Sequence, residues 1–236
     1  MRFLYVMDKS YIAGLYDGDG SINMSKAGPK GKEGIVLKVN LCQNILELLE
    51  KVNAYFDNSG KIYKDPRECK YTSDLNYHLV FCGIKARKLL YIIRDYGVLK
   101  SQQASIALEH LNLGYFDKDE KHANMDLIKR MNKDKNSYEH PYENINDAYI
   151  SGLFDAEGNV YFNTNSKGNK KSYVKITQMC CNELLENIQK YLGYGSTTER
   201  GRWKIYSKQN YEKFYDVIRE TNIMKVGKLK ELLDFL

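Results

Sequence analysis

Apolar and polar positions pass through the same succession of patterns twice along this chain. An apolar stretch at helical spacing, Tyr11-Ile12-Ala13-Gly14-Leu15-Tyr16, ends in Asp17-Gly18-Asp19-Gly20; Tyr149-Ile150-Ser151-Gly152-Leu153-Phe154 ends in Asp155-Ala156-Glu157-Gly158. Each is followed by a short alternating segment, 21–26 or 159–165, and by a second that ends in glutamine, 36–43 or 173–178. Amphipathic helices are predicted next, at 45–55 with ELLEKV and at 182–192 with ELLENI. A glycine turn and a polar strand pair come after each, 60–65 with 77–81 and 195–200 with 203–206. A helix then runs into a lysine, Lys100 or Lys225, and a last helix continues beyond it. The two halves are therefore collinear αββαββα units.

Between the halves, residues 115–145 are charged and polar, with one short helical pattern at 125–131 and a break at Pro141. That composition predicts an exposed linker. The expected organisation is thus a first half at 1–114, a linker at 115–145 and a second half at 146–236. Two similar halves on one tether imply a monomer with an internal pseudo-twofold. Symmetric DNA readers use such geometry to meet two half-sites.

Ala13 with Gly14, and Ser151 with Gly152, leave one face of each motif helix nearly bare. Bare faces allow close backbone approach, either beneath a sheet or helix on helix, and the duplication favours the second. Ser10 or Asp8 can cap the first helix, and Asn146 or Asp147 the second. Both helices end in acids, which the dipole disfavours there by ~0.3–1 kcal/mol each. Bringing the two ends together adds repulsion, which a divalent cation with oxygen ligands would relieve. The carbonyls of Gly18 and Ala156, freed at the helix ends, are candidate further ligands. An EF-hand is excluded, because a loop starting at Asp17 would need glycine at Ile22 and glutamate at Gly28.

Composition refines this picture only slightly. A hydrophobic fraction of 43% in 236 residues supports a core, and no apolar run is long enough to span a bilayer. The first residues carry no secretory cleavage pattern. The excess of 36 basic over 30 acidic residues, +6, is compatible with nucleic-acid binding but is ordinary for a soluble protein. Cys42, Cys69, Cys82, Cys180 and Cys181 form no CxxC pair and the histidines no HxxxH, which argues against structural zinc and for a reducing, intracellular setting. Abundant Lys, Asn, Ile and Tyr have AT-rich codons, which hints at an organellar or viral genome.

With the motif, the following glutamine and the later lysine all recurring in order, the sequence resembles the LAGLIDADG homing endonucleases. Ile12–Gly20 and Ile150–Gly158 are its two copies of the name-giving motif, and the likeness covers all but the linker. The resemblance implies an α+β fold with a four-stranded antiparallel, saddle-shaped sheet in each half, set in the DNA major groove, and halves packed through the motif helices. It implies that Asp19 and Glu157 bind Mg²⁺ directly, with Mn²⁺ substituting and two or three divalent ions in the complex. Asp17 and Asp155 would brace the motif helices. Gln43, Gln178, Lys100 and Lys225 would order water or stabilise charge at the phosphates, although alignment through ELLEKV and ELLENI sets Gln43 opposite Met179.

The implied activity is site-specific double-strand cleavage of DNA, leaving staggered 3′ overhangs at a long asymmetric target, by an intron-encoded enzyme. An intron maturase or non-cleaving nucleic-acid binder on the same scaffold is the alternative, with host-intron RNA as partner. A repeat protein with a metal-binding structural interface is a third reading.

Strand alternation nominates the base-reading face. In the first half it takes Ser21, Asn23 and Ser25, then Lys38 and Asn40, Lys61 and Tyr63, and Asn76 and His78. In the second it takes Asn159, Tyr161 and Asn163, then Tyr173, Lys175 and Thr177, Thr198 and Arg200, and Arg202 and Lys204. These side chains offer the hydrogen-bonding groups that major-groove edges require. The lysine-rich loops 26–32 and 167–171 are better suited to phosphate contacts.

Overall fold

The structure is a computed structural model in which residues 7–29, 34–65, 76–114, 116–134 and 139–236 are described. Helix α1 (Lys9–Asp19) leads without a break into β1 (Gly20–Ala27), followed by β2 (Gly34–Gln43) and α2 (Leu46–Tyr55). Strands β3 (Lys61–Lys64) and β4 (Tyr77–Cys82) precede α3 (Arg87–Tyr96), α4 (Ser101–Asn112) and α5 (Lys118–Lys133). The second round is α6 (Asp147–Glu157), β5 (Gly158–Thr164), β6 (Lys170–Thr177), α7 (Asn182–Leu192), β7 (Ser196–Thr198), β8 (Arg202–Ile205), α8 (Lys208–Ile218) and α9 (Val226–Phe235). Both sheets are four-stranded and antiparallel, with orders β1-β2-β4-β3 and β5-β6-β8-β7. The predicted αββαββα succession and α+β class hold in both. Among the described residues, no helix is long and apolar enough to cross a membrane.

Each sheet buries one face beneath its helices. In the first, Ile22, Met24, Val39, Leu41, Leu79 and Phe81 are buried, as are Leu48, Leu49 and Val52 of α2 and Leu89 and Ile93 of α3. In the second, Val160, Val174, Ile176, Trp203 and Ile205 are buried, as are Leu184, Leu185 and Ile188 of α7 and Tyr211 and Phe214 of α8. Phe214 packs edge-on against Phe154 at 4.9 Å between ring centroids and lies 5.3 Å from Trp203. That contact ties the motif helix α6 to the sheet's own core.

Residues Asp19–His140 form one compact unit; Pro141–Leu236 form the other together with the chain up to Gly18. Helix α1 thus groups with the second repeat rather than with the sheet it feeds. The cause is its packing on α6. A Cβ on Gly14 would lie 2.1 Å from the carbonyl oxygen of Tyr149, and one on Gly152 would lie 2.0 Å from that of Tyr11. At the far end, a Cβ on Gly18 would lie 2.3 Å from that of Ala156. The bare faces are therefore used helix on helix along their whole length. Asp8 caps α1 through Ser10 N–H at 2.7 Å, and Asn146 caps α6 through Tyr149 N–H at 2.9 Å. Asn146 also donates to Ser10 Oγ at 3.1 Å, joining the two starts.

The expectation of an exposed linker fails over 118–133. Helix α5 packs against α4 and β1, burying Met125, Ile128 and Met131. Asn132 donates to the Ile22 carbonyl at 3.0 Å, fastening the helix to β1. Three apolar residues at helical spacing suffice because the rest of the helix lies in solvent, where its charges belong.

The α1–α6 packing has a direct consequence. Gly152→Ala should destabilise the protein by about 1–3 kcal/mol in chemical denaturation, since the added methyl meets backbone rather than a movable side chain. Gly227→Ala in α9, where an added Cβ meets nothing within 4 Å, should be neutral or stabilising.

Candidate active site and nucleic-acid face

Asp19 is the last residue of α1 and stands immediately before β1. Gly20 pairs with Leu41, which brings the end of β2 alongside the acid. Gln43, buried on the core side of that strand end, donates through Nε2 to Asp19 Oδ2. The predicted first acid and its glutamine are thus in contact.

Glu157 closes α6 in the same way, and Gly158 pairs with Ile176. Counting from those partners sets Gln178 at the register that Gln43 holds in the first sheet, so the apparent match of Gln43 with Met179 is corrected. The slip has a simple origin. Helix α2 starts at Leu46 and α7 at Asn182, so the second half carries one more residue between glutamine and helix. Here the glutamine lies just past its strand. Its N–H donates to the Gly201 carbonyl at 2.8 Å, and its side-chain oxygen accepts from Cys180 N–H at 3.4 Å. Gln178 is held within its own turn, whereas Gln43 reaches its acid.

The other two acids are interior and braced. Asp155, 1% exposed, accepts from the Tyr11 hydroxyl at 2.7 Å, and Asp17, fully buried, accepts from the Tyr149 hydroxyl at 2.8 Å. This reciprocal pair locks α1 to α6. Asp155 also accepts from the N–H groups of Ile223 at 2.9 Å, Met224 at 3.1 Å and Lys225 at 3.1 Å, the segment leading into α9. Burial pushes its carboxyl above the ordinary value, against the opposing pull of these donors. Burial, and then the Asp17 charge, raises the Tyr149 hydroxyl, which stays protonated as a donor.

Lys225 changes the electrostatic expectation. Its ammonium donates to the carbonyl oxygens of Phe154 at 2.9 Å, Asp155 at 2.6 Å and Ala156 at 3.3 Å, so a protein cation already faces the negative end of α6. Acids at this helix end therefore do not by themselves require a metal ion. Lys100 holds the matching place, as the residue capping α4 just as Lys225 caps α9, and is 5% exposed. No group of three or more His, Cys, Asp or Glu side chains able to hold a metal occurs among the described residues. Asp19 and Glu157 are each half-buried and each follow a helix-end carbonyl, that of Gly18 or of Ala156. Each repeat thus offers oxygen donors of the kind that hard cations take.

On each sheet the face away from the helices carries the polar residues that alternation nominated. Ser21 pairs with Asn40 and Asn23 with Lys38; Lys61 pairs with Val80 and Tyr63 with His78. His78 lies 3.3 Å from Asn40 Oδ1 and 3.1 Å from Asp65 Oδ2, a network that the alternation alone did not reveal. Ser25 is exposed, and Asn76 extends β4, its carbonyl accepting from Asp65 N–H at 2.8 Å.

In the second sheet Asn159, Lys175, Lys204 and Ser196 form one row, and Thr177, Arg202 and Thr198 another. Asn163 pairs with Lys171, and Arg200 sits in the exposed β7–β8 turn. Tyr161 stacks on Tyr173 at 4.9 Å with rings 15° apart, and the ammonium groups of Lys175 and Lys204 lie 5.9 and 5.7 Å from the Tyr173 ring. Tyr206 joins the two stacked tyrosines around a concavity of about 400 Å³ that Lys170, Lys171 and Ser172 complete. By strand register the matching row in the first sheet is Asn23, Lys38 and Cys82, so the two faces differ most at this row. Lys170 donates to the Phe235 carbonyl, leaving Lys167 and Lys171 as the more available cations of that segment. Part of the loop 26–32 lies outside the described residues.

No family model and no curated protein matches the sequence. Solved structures do. The homing endonuclease I-GzeII in complex with its DNA target matches over 95% of this chain and 88% of its own, with a TM-score of 0.73 at 16% identity. I-SmaMI bound to uncleaved DNA target in the presence of calcium ions matches over 97% and 90%, with a TM-score of 0.73 at 15% identity. I-AabMI bound to uncleaved DNA matches over 97% and 91%, with a TM-score of 0.70 at 16% identity. The chain has the LAGLIDADG homing endonuclease fold.

In this LAGLIDADG fold α1 and α6 carry both the close backbone approach and the acids. Asp155 braces both the helix pair and the start of α9. Asp155→Asn replaces an oxygen with an NH₂ amid four donors, so we expect a loss of about 2–4 kcal/mol in chemical denaturation. A loss below about 0.5 kcal/mol would show the brace to be dispensable.

Proposed function

We propose that this protein is a divalent-metal-dependent, site-specific DNA endonuclease that cuts both strands of a long asymmetric target and leaves 3′ overhangs. The observation that carries this reading is a repeated one. Each sheet starts directly from a helix-terminal carboxylate, with a glutamine at the same register at or just past the end of the neighbouring strand, in a fold whose neighbours were solved on DNA targets.

Asp19 and Glu157 would hold Mg²⁺, or Mn²⁺ in its place, and the Gly18 and Ala156 carbonyls would add oxygen ligands. Bound there, such ions supply an activated water and stabilise the leaving oxygen of an in-line phosphodiester displacement. Gln43 orients the Asp19 carboxylate by the bond it already makes. Lys225 places positive charge at the end of α6, where it can offset charge developing on the phosphate, and Lys100 would do the same for the first repeat. Asp17 and Asp155 would act as braces, through the helix pair and, for Asp155, through the segment that roots Lys225.

The outward sheet faces would read bases. The first is mixed polar, with the Asn40–His78–Asp65 network, and the second carries tyrosines among lysines. Faces this different suit two unlike half-sites, and hence an asymmetric target.

Cleavage of a randomised DNA library in Mg²⁺ tests the proposal. The wild type should enrich one long site, and Asp19→Asn or Glu157→Gln should each lower cleavage by about 10²–10³-fold or more while binding persists. Undiminished cutting by the double variant would overturn it. On the selected site, Lys167→Ala with Lys171→Ala should flatten the salt dependence of binding by roughly one unit of slope for each phosphate no longer neutralised. An unchanged slope would remove that segment from the interface.

A further inference from the structure

We propose that Lys225 is the resident counter-ion of the α6 C-terminus. In this reading it leaves the Ala156 carbonyl when a divalent cation is taken up at Glu157, and so becomes available to a DNA phosphate only in the loaded protein. The inference rests on the metal-dependent reading above and adds an order of events to it.

The last carbonyls of a helix have no partner within it and carry its negative potential. Lys225 meets three of them, and an ammonium has three donors. Its backbone is fixed where it stands. Its N–H donates to Asp155 Oδ1 at 3.1 Å and to Asn222 Oδ1 at 2.8 Å, and buried Asn222 donates in turn to the Ser151 carbonyl of α6 at 3.1 Å. Its side chain runs past Phe154, with Nζ 5.8 Å from the ring centroid.

The three bonds are unequal. Those to Phe154 and Asp155 are 2.9 and 2.6 Å, while that to Ala156, beside Glu157, is the longest at 3.3 Å. A divalent cation on the Ala156 oxygen would stand close to the ammonium, where like charges repel, so joint occupancy of that oxygen is disfavoured. Lys225 therefore competes with the metal for one carbonyl, and release from it frees a donor on a side chain whose root does not move. Occupied in this way, the ammonium also keeps the helix end neutralised in the metal-free protein.

The test is Mn²⁺ uptake by the DNA-free protein, followed by isothermal titration calorimetry, with thermal unfolding in EDTA alongside. Lys225→Met should bind Mn²⁺ at least about fivefold more tightly than the wild type, the lower end of an ordinary coupling between two ligands. It should also unfold at a lower temperature in EDTA, and Glu157→Gln in the same chain should cancel the tighter binding. Lys225→Gln, whose amide can still donate to the carbonyls without charge, gives the same comparison if the methionine variant does not fold.

Equal or weaker Mn²⁺ binding in the variant that folds would overturn the proposal, as would tighter binding that survives Glu157→Gln. So would absence of uptake by either protein while the wild type still cuts DNA in Mg²⁺, an outcome that spares the endonuclease reading. If the wild type neither takes up Mn²⁺ nor cuts, both readings fall.

Discussion

The close approach of two helix backbones is the constraint on which the rest depends. Glycine at positions 14 and 152 lets α1 and α6 touch carbonyl to Cα, and no other residue fits there without moving main chain. That approach decides where everything near the acids can be. It brings each motif tyrosine within reach of the other helix's aspartate, so Tyr11–Asp155 and Tyr149–Asp17 close as a reciprocal pair. Asp155 in turn gathers the N–H groups of 223–225 and thereby sets the start of α9 and the root of Lys225. A chain of short polar bonds thus leads from a packing requirement to a positioned cation.

The same arrangement separates the four acids into two kinds. Asp17 and Asp155 are interior and bonded to tyrosines; Asp19 and Glu157 sit two residues further on, half-buried at the step from helix to strand. Bonded interior positions and half-buried ones are therefore divided within one short motif. The two copies are not equivalent in detail. Gln43 grips its acid, Gln178 is engaged by its own turn, and the outward faces of the two sheets diverge from polar to aromatic and basic.

Much of this was legible in the residues. The repeat, the small-residue faces and the period-two alternation are local patterns, and local patterns report fold directly when they agree with one another. The division of the motif acids into brace and site came from the family resemblance, and the bonded interior pair fits it. What escaped was non-local. No periodicity shows that Lys225 folds back onto the carbonyls of residues 154–156, nor that a tyrosine hydroxyl reaches an aspartate 144 residues away. Acids and helix dipole alone overstate the electrostatic need for a metal, because they leave out the lysine that faces them. Composition misleads at α5, where three buried residues among many charges are enough to pack a helix. Glutamine register slips when the helices are aligned, because the extra residue lies between glutamine and helix.

The central claim is that Asp19 and Glu157 hold divalent cations over a bound DNA target. Anomalous scattering from crystals of the protein–DNA complex grown with Mn²⁺ measures this most directly. Anomalous peaks are expected within about 2.0–2.6 Å of a carboxylate oxygen of each residue, the range of bonds from hard cations to oxygen. Peaks confined to other side chains, or none at either carboxylate with DNA in place, would contradict it.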